Sequence, residues 1–183
     1  MHVVTRNQGK LREIRAIVGR YGIDVVAVAA DKVEIQSDSL EDIVRHAARA
    51  LLGSVPEPFA VEDSGLFIEA LNGFPGPYSS YVYRTIGCAG VLKLMDGVPN
   101  RRARFVCAAA LGLGGEVRVF RGEVEGEVST EARGSSGFGF DPIFIPRGYS
   151  RTFAEMSLEE KCLISHRAKA FSLLAEYLAA KLQ

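Results

Sequence analysis

RARFVCAAALGLGGEVRVFRGEVEGEV, Arg102 to Val128, is the stretch whose reading decides the fold. An apolar run ends at Leu113, Gly114–Gly115 follows, and Val117, Val119, Val124 and Val128 then recur among charged residues. Two strands around a Gly-Gly turn make a β-hairpin, because paired glycines supply the positive φ of a tight turn. The alternation after the turn puts one face on a core and the other toward solvent. A hairpin is antiparallel, so any sheet it joins has an antiparallel part.

Toward the N-terminus the pattern changes. "HVV" from His2 reads as a strand, and "GKLREIRAIVGRYG" carries Leu11, Ile14, Ile17, Val18 and Tyr21 at helical spacing, stopped by Gly22. "IDVVAVA" is a second strand. "SLEDIVRHAARALLG" is a second helix, with Ser39 and Asp42 as its capping box and Gly53 at its end. "VPEP" (55–58) breaks the chain, and "FAVED" reads as a buried strand ending in Glu62 and Asp63. Alternation of this kind predicts parallel strands with helices on both faces. Joined to the hairpin, it predicts an α/β fold with a mixed central sheet.

Between these parts, "GFPGPYSSYVYRTIG" (73–87) reads as a Gly/Pro loop leading into a short helix, "AGVLKLM". Beyond the hairpin, "RGSSGFGFDP" is a flexible loop, "IFI" a short strand, "SLEEK" a helical turn and "SHRAKAFSLLAEYLAAKLQ" the closing helix. No internal repeat interrupts the 183 residues, which suit one domain able to bury its own core.

Composition excludes some functions. Lys+Arg and Asp+Glu both count 22, so no global field draws nucleic acid or a lipid surface. Any anion site is a local one. "RRAR" (101–104) lacks interleaved aromatics and reads as a solvated turn. No apolar run reaches the ~18 residues of a membrane helix. Nothing before "MHVV" reads as a signal peptide, so the expected location is cytoplasmic. Cys88, Cys107 and Cys162 are scattered, with no CxxC spacing, as in a reduced intracellular protein.

Five short stretches carry candidate chemistry. "TRNQGK" (5–10) puts Thr5, Asn7, Gly9 and Lys10 where a strand feeds a helix. Free helix amides, the helix dipole and a lysine make a phosphate cradle there, and Gly9 admits a close ligand. It is not a Walker A loop. The plainer alternative is that Asn7 caps the helix and Lys10 is solvated. "VEDSGL" (61–66) places Glu62 beside Asp63. Two acids after a buried strand need compensation, and a Mg²⁺ ion taking phosphate oxygens would supply it; a solvated strand end would need none. Glu34 in "KVEIQS" is a third carboxylate in an extended stretch. "SGFGFDP" (136–142) offers Phe138 and Phe140 for stacking on a planar base, or else to the core. "EEKCLISHRAKA" gathers Lys161, His166 and Arg167 at a helix start capped by Ser165. Cations there oppose the dipole, so a nearby anion or polar ligand would explain them.

In this combination and order, these stretches resemble the inosine/xanthosine triphosphate pyrophosphatase family over essentially the whole chain. The carrying segments are "TRNQGK", "VEIQ", "FAVEDSGLFIEALNGFPGPYSSY", "GFGFDPIFIPRGYSRTFAEMSLEEK" and "SHRAKA". The resemblance implies an elongated, two-lobed fold with a cleft between the lobes, a homodimer, and Mg²⁺-dependent hydrolysis of ITP, dITP and XTP to the monophosphate and pyrophosphate. It implies that Glu34 and Asp63 hold the metal and that Asp63 is the base toward water. It further implies that Thr5, Asn7 and Lys10 hold the phosphates and that Arg6, Gln8, Gly9 and Ser64 also contact substrate. Phe138, Gly139, Phe140 and Asp141 would line the nucleoside pocket, with Lys161, His166 and Arg167 on base and phosphates. Some members carry lysines where this chain has "RHAAR" and Ser79–Ser80, and Arg45 or Arg49 are the candidate substitutes. Rival readings are a pyrophosphatase for modified pyrimidine triphosphates and a nucleotide-binding module without turnover.

Overall fold

The computed structural model describes residues 1–182; Gln183, the last residue of the predicted closing helix, lies outside them. Six strands form one mixed sheet in the order β2-β1-β3-β4-β5-β6. Strand β1 (His2–Val4) pairs in parallel with β2 (Val26–Val28) and with β3 (Phe59–Ile68). From β3 onward the sheet is antiparallel, through β4 (Arg102–Leu113), β5 (Glu116–Val128) and β6 (Phe144–Pro146). The Gly114–Gly115 hairpin is present, and both glycines take the left-handed φ its turn demands.

Helix α1 (Gln8–Val18) buries Leu11, Ile14, Ile17 and Val18 on one stripe. With α6 (His166–Leu182) it covers one face of the sheet, over Val3, Ala60, Cys107, Ala109 and Leu111. Helix α2 (Leu40–Leu51) covers the other face, where Val44, Ala47, Ala48 and Leu51 meet Phe59, Val61, Val106, Ala108 and Ala110. A third apolar cluster fills the far end of the antiparallel part. There Leu66, Ile68 and Phe105 meet Phe144 and Phe153, together with Val82 of α3 (Ser79–Thr85) and Val91 of α4 (Gly87–Leu94). Helix α5 (Leu158–Ile164) leads into α6.

Four local expectations are corrected. Strand β3 does not end at Asp63; it pairs residue by residue with β4 from Phe59↔Gly112 to Ile68↔Ala103. Glu62 and Asp63 are therefore adjacent in mid-strand and project to opposite faces. The predicted loop 73–87 is helical from Ser79 to Thr85, because no Gly or Pro falls between Pro77 and Gly87 and Val82 packs inward. The α2 capping box is half formed: Ser39 accepts from the Asp42 amide, while the Asp42 carboxylate turns to Arg45. Arg101 is not a solvated turn residue, since its guanidinium donates to the carbonyls of Met95, Val128 and Ser129. That clamp ties the start of β4 to the end of β5.

Candidate active site

The turn between β1 and α1 is shaped by its own side chains. Thr5 Oγ1 accepts from the Asn7 amide at 3.1 Å, and Asn7 Oδ1 accepts from the Lys10 amide at 3.0 Å. Asn7 is thus the N-cap of α1, as the plainer alternative held. The other half of that alternative fails. Lys10 reaches β3, with Nζ 2.6 Å from Glu62 Oε1 and 3.8 Å from Asp63 Oδ1, and its side chain is only 18% exposed.

From Lys10 an alternating chain of charges runs into the protein. Glu62 Oε2 lies 3.4 Å from Arg167, whose guanidinium also pairs with Glu13. The other Glu13 oxygen takes Lys161 Nζ at 2.6 Å, and the same ammonium meets Asp141 Oδ2 at 2.5 Å. The order is Lys10, Glu62, Arg167, Glu13, Lys161, Asp141: three cations and three anions. Glu13, Glu62, Asp141, Lys161 and Arg167 are all buried. Charges so placed cost several kcal/mol each unless paired. Lys161 of α5 and Arg167 of α6 are thus each paired with carboxylates of the protein itself.

The charges set one another's ionisation. Burial opposes the charged form of Glu62, but Lys10 and then Arg167 outweigh it and hold the carboxyl down at about 2. Burial likewise opposes charge on Glu13, and Arg167 and Lys161 hold that carboxyl below its ordinary value. Asp63 goes the other way. Burial pushes its carboxyl up; Lys10 and Lys32 pull it back, while Glu62 and Glu34 push it further. Burial also raises Asp141 against the pull of Lys161. His166 is fully buried, stacked on Phe105 with ring centroids 4.6 Å apart and planes at 10°. Burial, and then Arg167, Lys161 and Lys10, depress its pKa well below the ordinary value, so the imidazole is neutral at pH 7.

A cleft of about 680 Å³ opens onto this chain. Thr5, Arg6, Asn7, Lys10, Glu34, Asp63, Ser64, Phe138, Gly139, Phe140, Asp141, Lys161, His166 and Arg167 all line it. The opening turn, the acidic strand and the start of the last helix therefore share one hollow. Two predicted contacts stand outside it. Gln8 is exposed on the first turn of α1, and Gly9 faces the Phe138 ring. Within the cleft some residues have structural duties: Ser64 Oγ accepts from Arg167 at 2.8 Å, and Phe140 is buried edge-on to Tyr83. Glu34 sits in irregular chain, not on a short strand, and pairs with Lys32 at 2.7 Å. Arg45 and Arg49 do not line the cleft, whereas Lys32 and Arg84 do.

The sequence reading missed Glu13, and it offered Glu62 only as one of two acids for a metal to compensate, not as the partner of Lys10 and Arg167. A signal for Glu13 was present: it lies three residues after Lys10 and beside Ile14, so it falls on the buried stripe of α1. No such signal marks Lys32, whose ammonium reaches the Glu62 carbonyl only through the tertiary fold.

Comparison with known proteins agrees with this architecture. The Ham1 family profile matches residues 1–177. The dITP/XTP pyrophosphatase of Ignicoccus hospitalis is 51% identical over 183 residues, covering 99% of this chain and 97% of that protein. That of Methanopyrus kandleri is 53% identical over 174 residues, covering 94% and 93%. Among solved structures, the Ham1 protein of Staphylococcus aureus superposes with a TM-score of 0.83 at 30% identity, covering 99% of this chain and 100% of that one. The HAM1 protein of Coxiella burnetii does so with a TM-score of 0.84 at 28% identity, covering 98% and 99%. With the profile spanning nearly the full length and relatives half identical, the chain belongs to the Ham1 family.

Proposed function

We propose that this protein hydrolyses non-canonical purine nucleoside triphosphates, namely dITP, ITP and XTP, to the monophosphate and pyrophosphate, as one catalytic domain over residues 1–183. The observation that carries the reading is the shared cleft. Lys10, Asp63, Phe138, His166 and Arg167 all line it; following the family resemblance, we assign Lys10 and Asp63 to the phosphates and Phe138 and His166 to the nucleoside. Relatives half identical to this chain bear the name dITP/XTP pyrophosphatase.

Each end suits one part of such a substrate. The phosphate end offers Thr5, Lys10 and Lys32, all of which line the cleft. Phosphoryl transfer depends mainly on positioning and charge stabilisation, which these groups supply. Glu34 and Asp63 both line the cleft. Among the described residues no three carboxylate, imidazole or thiol groups gather into a complete metal site. Two carboxylates still fit Mg²⁺, which takes one or two from the protein and completes its shell with water and phosphate. When bound, Mg²⁺ would neutralise charge on the phosphates. Asp63 is the group we assign to accept the proton of the attacking water.

Arg167 Nε is buried with no hydrogen-bond partner among the described residues, and we assign it to the base. A guanidinium N–H only donates. It therefore favours a base with an oxygen acceptor at C6, as in hypoxanthine and xanthine, and leaves the adenine amino group facing a donor. Such mismatches discriminate by up to ~10⁴-fold.

The test is pyrophosphate release from dITP, ITP, XTP, GTP and ATP with Mg²⁺. Asp63→Asn is expected to lower kcat by ~10²–10⁴-fold. Equal rates for ITP and ATP overturn the selectivity, and an undiminished Asp63→Asn rate removes Asp63 from the chemistry. We further propose a homodimer, in which a second copy covers the exposed Tyr78, Tyr81 and Ile86 around α3, and a cytoplasmic setting. No helix among the described residues is long and apolar enough to cross a membrane.

A further inference from the structure

Gly9 occupies the first turn of α1 with ordinary helical backbone, so no left-handed φ requires a glycine there. Glycine costs about 1 kcal/mol relative to alanine inside a helix. Its missing side chain therefore has another cause. A Cβ at Gly9 would lie 2.5 Å from Phe138 Cδ1, 2.9 Å from Cε1 and 3.0 Å from Cγ. All three nearest atoms belong to one aromatic ring, brought from the other end of the sequence.

The same ring is held from two more directions. Lys161 Nζ and Arg167 Cζ lie 5.0 and 5.5 Å from its centroid. The Phe138 amide donates to Asp141 Oδ2, the oxygen that also takes Lys161 Nζ. Gly137 and Gly139, flanking Phe138, both have positive φ and no side chain to anchor the loop. The Gly9 surface, the two cations and Asp141 are thus what place the ring.

We infer that Gly9 is a positioning residue for the nucleoside end of the cleft, acting through Phe138, although it sits in the turn that serves the phosphates. This rests on the nucleotide-hydrolase reading above. The competing role, admitting a phosphate oxygen close to the backbone, predicts a different pattern of inhibition. IMP carries the nucleoside, whereas pyrophosphate carries only what the phosphate end binds.

The experiment compares wild type, Gly9→Ala, Phe138→Ala and the double variant in the full-length protein. It measures KM and kcat for ITP and the Ki of IMP and of pyrophosphate. Gly9→Ala is expected to raise the KM for ITP and the Ki of IMP about tenfold, the scale of one lost base–aromatic contact. The Ki of pyrophosphate and kcat are expected to stay within about threefold, since uniform nucleoside binding is what is removed. The double variant is expected to match Phe138→Ala within about twofold, because the methyl then has nothing to meet. If Gly9→Ala alone does not fold, the pair lacking the ring carries the comparison. A pyrophosphate Ki rising as far as that of IMP, or an undiminished penalty in the Phe138→Ala background, overturns the inference alone. Failure of wild type to hydrolyse any purine triphosphate overturns the function and this inference with it.

Discussion

At the mouth of the cleft Arg6 pairs with Asp31, with side chains 73% and 95% exposed; at its floor Lys161 is pinned between Glu13 and Asp141, none more than 4% exposed. Both are ion pairs of ordinary length, but their surroundings give them different weight. Water screens the first and competes for both partners, so exposed pairs contribute about 0–1 kcal/mol. The second exists only because each buried charge answers another, and removing one member strands the rest. The comparison separates an exposed rim, whose ion pair water can break and remake, from a buried floor whose charges depend on one another.

The largest expected effect tests the floor. Glu13→Ala leaves Lys161 and Arg167 short of a shared carboxylate and is expected to cost about 3–5 kcal/mol of stability, measured by denaturant unfolding. A loss below about 1 kcal/mol, the range of exposed pairs, would erase the distinction between the two ends.

A pH series sharpens the boundary at Glu62. Its folded pKa, about 2, lies below the ordinary 4.5 it regains on unfolding. Between those values the unfolded chain binds the extra proton, so stability rises with pH. The contribution is complete above about 4.5 and is lost as pH falls toward 2, amounting to at most about 3 kcal/mol. Unfolding curves from pH 2 to 5 should therefore be flatter for Glu62→Gln than for wild type. Equal slopes would show that Lys10 and Arg167 do not hold this carboxyl.

The smallest effect belongs to the mouth. Arg6→Ala is expected to change stability by less than about 1 kcal/mol. A larger loss in a melting experiment would make the exposed Arg6–Asp31 pair part of the fold.

What could be read from residues alone divides along the same line. The turn "TRNQGK", the acid pair and the Gly114–Gly115 hairpin were legible because each is a local pattern, with cap, charge and turn chemistry within a few residues. The length of β3 was not. Glu62, Asp63 and Ser64 look like a strand end because polar residues inside a buried strand are costly. Here they run mid-strand because Lys10 and Arg167 arrive to satisfy them. Glu13 and Lys161, 148 positions apart, illustrate the same point, as does Arg101 reaching across to Val128 and Ser129.

By itself the sequence determined the mixed α/β sheet, the family, and the residues that converge on the cleft. These follow from periodicity, turn residues and short motifs, which act over a few ångströms along the chain. Only the tertiary structure decided how the charges are shared: that Glu13 joins Lys161 to Arg167, that Lys32 and not Arg45 or Arg49 lines the cleft, and that Gly9 faces a phenylalanine. A buried charge is stable only through its partner, and which partner it meets is a property of packing between distant segments.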